Sequence, residues 1–180
     1  DTDLRKLVGR LCEAELTSRG LSPSAVTWGG DQTAPDGGLD VRVSLPSGVP
    51  IDGFVARPST GYQVKASDMQ RADLLSEMRP AGAIRPAIQE LADEAGAYVV
   101  VSSKGSTSDS ALRNRRQALR EALEGVSNAD QLHTDFYDRT RLATWVRCHP
   151  GLVVWVRERV GRALAGWRPY GPWSGGAEGV

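Results

Sequence analysis

The chain has 180 residues, of which 40% are hydrophobic and 24% are charged, so its composition is that of one globular domain and argues against disorder. Its 22 basic residues balance 22 acidic residues, so the net charge gives no evidence for a polyanionic partner, although a local basic patch could still bind one. Two cysteines without a CxxC spacing indicate neither a disulfide framework nor a zinc site.

The predicted elements begin with a helix and then alternate between strands and helices. Hydrophobic periodicity and the residues that stop it predict helices at 3–19, 84–96 and 107–125, and two short helices, 138–150 and 151–164, split at Pro150. Alternation and apolar runs predict strands at 25–28, 39–45, 54–57, 61–67, 97–103 and 132–137. Residues 29–38 are a predicted loop, 68–82 are expected to be irregular, and 166–174 are expected to form an ordered loop. This order predicts an α/β fold, a mixed sheet with helices on its faces.

The predicted organisation is a core at 1–127, a strand and helical extension of the same domain at 128–173, and a linker at 174–180. The longest apolar run, "AYVVV", is far too short to span a membrane, and no charged-then-apolar leader is present, so we expect a cytoplasmic protein. Because the chain lacks an initiator Met and ends in "SGGAEGV", we expect it to be a fragment of a longer protein.

The stretch "GYQVKAS" (61–67) places two polar side chains on one face of a strand. Gln63 and Lys65 share that face, while Tyr62 and Val64 share the other, because successive side chains of a strand point to opposite faces. A lysine on a sheet face needs a carboxylate, a phosphate or water as its partner. Asp40, which follows the glycines of "DGG" at the entry of the preceding strand, is a candidate neighbour.

The first predicted helix carries an acid within its apolar stripe. At 100° per residue, Glu15 falls on the same face as Leu4, Val8 and Leu11, whereas Glu13 falls on the solvent side. A carboxylate in a position that faces the core indicates a metal, a basic partner or a hydrogen-bond network.

These residues together suit the hydrolysis of a phosphodiester. The carboxylates of Glu15 and Asp40, the amide of Gln63 and the backbone carbonyl of Val64 are hard oxygen ligands that suit Mg²⁺. Lys65 beside such a metal could orient or deprotonate the attacking water, or stabilise the charge that develops on phosphorus.

The stretch "PDGGLDVRV…GYQVKAS", after a helix that bears a glutamate, resembles the PD-(D/E)XK nuclease superfamily in its Mrr-like D…QxK variant. The resemblance covers residues 1–103 and implies a restriction-endonuclease-like fold. It implies that Asp40, Gln63 and Glu15, with Glu13 as the alternative, bind the metal and that Lys65 is catalytic. Gln63 replaces the commoner acid, which leaves the affinity and the number of metal ions open.

This resemblance implies a Mg²⁺-dependent (or Mn²⁺-dependent) endodeoxyribonuclease that acts on DNA, with double-stranded DNA favoured and RNA not excluded. The C-terminal segment that begins "LHTDFY" is similar to one that follows such nuclease domains in bacterial STAND-type NTPases of antiphage defence. That similarity implies an effector domain that works as a homo-oligomer through its parent protein. The alternative is a nucleic-acid-binding or assembly module of the same fold that does not cleave.

Further basic residues are candidates for nucleic-acid contact. Arg113, Arg116 and Arg120 form a stripe on the predicted helix 107–125, and Lys104 lies in the loop before it. Such a stripe is more often a solvated helix face than a binding surface. Asp31 and Asp36 are expected to be turn formers.

Overall fold

The computed structural model describes residues 2–28 and 38–162, which form a five-stranded mixed sheet covered by helices. The strands are β1 (Val26–Trp28), β2 (Val41–Ser44), β3 (Ser59–Lys65), β4 (Ala97–Ser102) and β5 (His133–Tyr137). The helices of the described residues are α1 (Thr2–Ser18), α2 (Arg71–Met78), α3 (Pro86–Asp93), α4 (Asp109–Glu121), α5 (Arg139–Arg147) and α6 (Pro150–Arg159). Short 3₁₀ turns occur at Pro23–Ala25, Pro80–Gly82 and Ala129–Gln131. The predicted α/β class is therefore confirmed.

The sheet has the strand order β1-β2-β3-β4-β5 and changes from antiparallel to parallel pairing at β3. β2 pairs antiparallel with both β1 and β3, whereas β4 pairs parallel with both β3 and β5. The β2–β3 register sets Val41 opposite Tyr62, so the residue before β2 lies beside the C-terminal half of β3. The end of β3 and the entry of β2 therefore meet at one edge of the sheet.

A separate hydrophobic cluster covers each face of the sheet. Tyr62 and Val64 contribute to the first cluster, which also contains residues of α1 and α5 and has Leu152 of α6 packed against it. The second cluster contains Tyr98 and Val100 and residues of α2, α3 and α4. Alternate residues of β4 thus enter opposite clusters, and every residue of this strand is buried, as its apolar run predicts.

Two segments differ from their predictions. Residues 68–82 are not irregular throughout, because α2 occupies 71–78 with Leu74 and Met78 buried four residues apart on one face. The backbone N–H of Gln70 donates to the Asp73 carboxylate at 3.0 Å and closes the start of this helix. The predicted strand at 54–57 is also wrong. The Phe54 carbonyl there accepts hydrogen bonds from the hydroxyls of Tyr62 and Tyr137 instead of a neighbouring strand.

The segment after 127 continues the same sheet, because β5 pairs with β4 along its length. The end of the extension (163–173), the linker (174–180), and Asp31 and Asp36 lie outside the described residues. In the part of the chain that the structure describes, every helix is too short or too polar to cross a lipid bilayer.

Asp138 joins the loop after β4 to the start of α5. Its carboxylate accepts from the backbone N–H of Arg141 at 2.9 Å, and from the N–H and hydroxyl of Thr107 at 2.8 and 3.0 Å. Burial alone would raise the pKa of Asp138, but these hydrogen bonds outweigh it and lower the pKa below its usual range.

Replacing Asp138 with alanine should therefore cost about 2 kcal/mol of unfolding free energy near neutral pH. Because the folded-state pKa is lowered, the carboxylate stabilises the fold above its ordinary pKa of about 3.9 and loses this effect as the pH falls through the folded value. Urea unfolding should show that the difference in unfolding free energy between wild type and Asp138→Ala narrows as the pH falls below about 3.9. If the difference in unfolding free energy were as large at this acidic pH as it is near neutral pH, the result would contradict this role.

Candidate active site

Asp40 lies where the chain enters β2, and its carboxylate is held from two sides. One oxygen, Oδ2, accepts the backbone N–H of Val64 at 2.7 Å and the side-chain amide of Gln63 at 3.0 Å. The other oxygen, Oδ1, lies 2.6 Å from the guanidinium of Arg5 in the first turns of α1. The Asp40 N–H also donates to the Tyr62 carbonyl, which extends the β2–β3 register by one bond. These contacts fix the Asp40 side chain beside β3.

Gln63 has one side-chain atom paired and one unpaired. Its Nε2 donates to Asp40, whereas its Oε1 is buried and accepts no hydrogen bond from the described residues. The residue is only 6% exposed. A buried amide oxygen without a hydrogen-bond partner lowers the stability of the fold by about 1–3 kcal/mol. This oxygen therefore indicates a missing partner, either a cation or a hydrogen-bond donor.

Lys65 leaves the same face of β3 as Gln63 and meets an acid from α2. Its Nζ lies 2.9 Å from Glu77 Oε2, and the other Glu77 oxygen lies 2.9 Å from Arg85. Arg85 also donates to the Glu77 backbone carbonyl, which fixes the carboxylate. Gly38, at φ +92°, lies so close that an added Cβ would be 2.7 Å from Arg85. The glycine before β2 therefore allows the entry of β2 to approach this ion-pair cluster.

Tyr98 of β4 is a further polar residue near the site that sequence reasoning missed. Its hydroxyl is buried without a hydrogen-bond partner among the described residues. Burial raises the pKa of this hydroxyl, and the charges of Glu77 and Asp40 add to the rise while Arg85 opposes it. Tyr98 therefore remains a neutral O–H donor at physiological pH, within the electrostatic reach of those three side chains.

Glu77 was missed because the sequence pattern gave no helix at 68–82. The signal available was the four-residue spacing of Leu74 and Met78, which predicts a short helix with Glu77 beside its buried face. Arg5 was missed because no sequence pattern links a basic residue near the start of a helix to an acidic residue 35 positions later, such as Asp40.

The oxygen donors at this edge suit a hard divalent cation. Three oxygen groups lie close together where the entry of β2 meets β3: the Asp40 carboxylate, Gln63 Oε1 and the Val64 carbonyl. The Val64 C=O points toward the Asp40 side of β3, because the N–H and C=O of one strand residue point to the same side and this N–H donates to Asp40. Mg²⁺ is commonly held by one or two carboxylates together with water and substrate phosphates. Among the described residues, no group of three or more His, Cys, Asp or Glu is arranged to hold a metal ion.

Glu15 takes part in a different cluster from Asp40. Its Oε1 pairs with Arg19 at 2.9 Å, and its Oε2 lies 3.3 Å from Trp145 Nε1 and 3.1 Å from His149 Nε2. Arg5, which contacts Asp40, lies ten residues earlier in α1, about 15 Å along the helix axis. The structure therefore brings Asp40, Gln63 and Val64 into contact and places Lys65 on the same face of β3 as Gln63. It places the Glu15 carboxylate beside Trp145 of α5 and His149 at the start of α6. The alternative Glu13 accepts from Trp28 Nε1 at 2.7 Å.

Replacing Glu15 with alanine is expected to cost about 2–4 kcal/mol of unfolding free energy, because the buried Trp145 nitrogen and the half-buried His149 nitrogen lose their acceptor. Glu15→Gln, which keeps an acceptor oxygen, should cost less. Chemical denaturation measures both losses. If Glu15 instead binds the metal, the alanine variant would retain its stability and lose its response to Mg²⁺.

The basic residues outside the site differ in how they are paired. Arg113 pairs with Asp109, and Arg116 pairs with Asp135 at 2.7 Å, so two positions of the α4 stripe are neutralised within the chain. Arg120 and Lys104 are exposed, the latter in the loop after β4.

Comparison with known proteins adds no relative: no family model matches the chain, and neither a curated protein nor a solved structure matches it.

Proposed function

We propose that this domain is a metal-dependent endonuclease that hydrolyses phosphodiester bonds of DNA, with Mg²⁺ or Mn²⁺ as its cofactor. The observation that carries the proposal is the buried Gln63 Oε1, which lies close to the fixed Asp40 carboxylate. This oxygen accepts no hydrogen bond from the described residues. A cation at this place would satisfy that oxygen, and the lysine two residues later lies on the same strand face.

Each residue has a role in this proposal. Asp40, Gln63 Oε1 and the Val64 carbonyl would hold the metal, which supplies Lewis acidity at the phosphate. Arg5, which lies 2.6 Å from Asp40 Oδ1, would bind a phosphate oxygen of the substrate. Lys65 orients the attacking water or stabilises negative charge on phosphorus, and Glu77 holds its amine in position when no substrate is bound.

The element order supports the finer fold proposal, a restriction-endonuclease-like domain. A helix that bears a glutamate, the turn into β2, the following strand β3, and then helices and the apolar strand β4 follow each other in the order that the resemblance to PD-(D/E)XK nucleases implies. The wider proposal is that this domain is the cytoplasmic effector of a STAND-type antiphage protein. When that longer protein oligomerises, two copies of the domain would come together and cut both DNA strands.

The direct test is incubation of supercoiled plasmid with the purified chain in Mg²⁺, Mn²⁺ or EDTA. We expect nicked and linear products with either metal and none in EDTA. Because cleavage of both strands needs two sites, a version forced to dimerise through a fused coiled coil should raise the linear fraction. Absence of cleavage in the monomer and in the forced dimer would overturn the nuclease proposal.

A second function is favoured by one observation. Arg5 already lies 2.6 Å from Asp40 Oδ1 and supplies a positive charge without a metal. A module that binds nucleic acid or assembles without cleaving would keep this ion pair. Arg5→Ala separates the two functions, because it should tighten Mg²⁺ binding in the nuclease and leave a non-catalytic module unresponsive to the metal.

A further inference from the structure

One arginine beside the candidate active site, Arg85, shares the acid that pairs with Lys65. Arg85 Nη2 lies 2.9 Å from Glu77 Oε1, and Lys65 Nζ lies 2.9 Å from Oε2 of the same carboxylate. In residues 2–28 and 38–162, the ion pairs of both cations go to Glu77 alone. Two positive charges therefore share one negative charge, and this group of three side chains carries an excess of positive charge.

Arg85 also borders the entry of β2, where Asp40 lies. A Cβ added to Gly38, two residues before Asp40, would lie 2.7 Å from Arg85 Nη1. The Arg85 Nε donates to the Glu77 backbone carbonyl at 2.6 Å, which holds the guanidinium in this position. The guanidinium is therefore fixed between the backbone that leads to Asp40 and the acid that pairs with Lys65.

A second carboxylate shared by two cations lies elsewhere in the part of the chain that the structure describes. Asp135 pairs with Arg116 at 2.7 Å and with Arg141 at 3.4 Å. An excess of positive charge is therefore not enough to indicate a contact with substrate. What distinguishes Arg85 is its position, because the other cation of its pair is Lys65, the residue proposed to act at the phosphate.

Glu77 holds Lys65 and Arg85 in the way that a phosphate would. Each of its two oxygens contacts one cation, and a phosphate group also offers two oxygens to neighbouring cations. The two basic side chains are each 27% exposed, so an anion from solvent can reach both. The geometry points to Arg85 as a further catalytic residue, which binds the scissile phosphate together with Lys65 in place of the Glu77 carboxylate. The identity of that phosphate rests on the proposed function, whereas the cation pair rests on the distances to Glu77.

The test is fluorescence anisotropy of a labelled duplex of about 20 base pairs in EDTA, where no metal-dependent cleavage interferes. Each phosphate contact adds about 0.9 to the slope of log K against log salt concentration. Arg85→Gln should therefore reduce this slope by about 0.9 and weaken binding roughly 8-fold near 0.1 M salt, whereas Arg85→Lys should keep the slope. Glu77→Gln should tighten binding roughly 8-fold, because it removes the one negative charge that competes with the phosphate.

The matched control is Arg42→Gln. The Arg42 side chain is 26% exposed, close to the value for Arg85, but it pairs with two acids, Glu90 at 2.8 Å and Glu94 at 3.2 Å. Its charge is compensated, so this variant should leave the salt slope unchanged. Equal slopes for Arg85→Gln and Arg42→Gln would overturn the inference, as would a wild-type chain that does not bind the duplex. If Arg85→Gln fails to fold in a thermal unfolding check, unchanged binding by Glu77→Gln would overturn it.

Plasmid cleavage in Mg²⁺ distinguishes a failure of this inference from a failure of the proposed function. Arg85→Gln should lower kcat/KM, whereas Glu77→Gln should lower KM and kcat together, because tighter binding of the substrate does not by itself raise the rate. If wild type does not cleave but Arg85→Gln alone reduces the salt slope, the nuclease proposal fails and the phosphate contact of Arg85 stands. If Arg85→Gln cleaves with the kcat and KM of wild type, the inference fails and the nuclease proposal stands.

Discussion

Replacing Lys65 with alanine should lower metal-dependent plasmid cleavage about 10²–10³-fold while the domain stays folded. The loss follows because Lys65 is the cation on the strand face that carries Gln63, where charge would develop on the phosphate. The fold should survive because the Lys65 side chain is 27% exposed and Glu77 keeps Arg85 at 2.9 Å. Initial rates of plasmid nicking and thermal unfolding of the same samples measure both effects.

Two further variants serve as controls for the cleavage rate of Lys65→Ala. Arg57→Ala removes an exposed cation that lies before β3 and should leave the rate unchanged. Glu77→Gln keeps the Lys65 amine but removes its anionic partner, so its rate should fall between those of wild type and Lys65→Ala. Cleavage that survives both Lys65→Ala and Asp40→Asn would show that the active site lies elsewhere.

The parts of this site that the sequence predicts are those set by local geometry. Alternation along a strand is enough to put Gln63 and Lys65 on one face and Tyr62 and Val64 on the other, and the structure has this arrangement. The glycines before Asp40 similarly indicate a bend into β2. The contact between Asp40 and Gln63 then needs only antiparallel pairing of consecutive strands, which is the commonest arrangement.

The parts that the sequence does not predict depend on contacts between distant segments. A buried Glu15 follows from helical periodicity, but its partners Trp145 and His149 lie more than 100 residues later, so periodicity cannot distinguish a metal ligand from a hydrogen-bond network. The same limit applies to Lys65, whose partner Glu77 lies on a helix of eight residues that packing stabilises more than its sequence pattern does.

Replacing Gln63 with glutamate should make the stability of the domain depend on Mg²⁺. The wild-type amide donates to Asp40 Oδ2 at 3.0 Å, and a carboxylate there would replace this hydrogen bond with repulsion between two negative charges. Without metal, the variant should lose about 2 kcal/mol of unfolding free energy. With a metal at 100 times its dissociation constant, binding to the folded state returns about 2.7 kcal/mol. Thermal unfolding in EDTA and in Mg²⁺ measures both changes.

The controls for Gln63→Glu separate a bound cation from a general effect of salt. Gln117→Glu adds the same charge on an exposed position of α4 and should respond to Mg²⁺ no more than wild type does. Gln63→Ala removes the hydrogen bond without adding a charge, so it should be destabilised in EDTA and should gain little from the metal. If Mg²⁺ stabilises Gln63→Glu and Gln117→Glu equally, the oxygens at Asp40 do not form a cation site. If Mg²⁺ stabilises only Gln63→Glu, the wild-type amide weakens metal binding at this position. The amide is neutral and lacks the second negative charge that a carboxylate would supply.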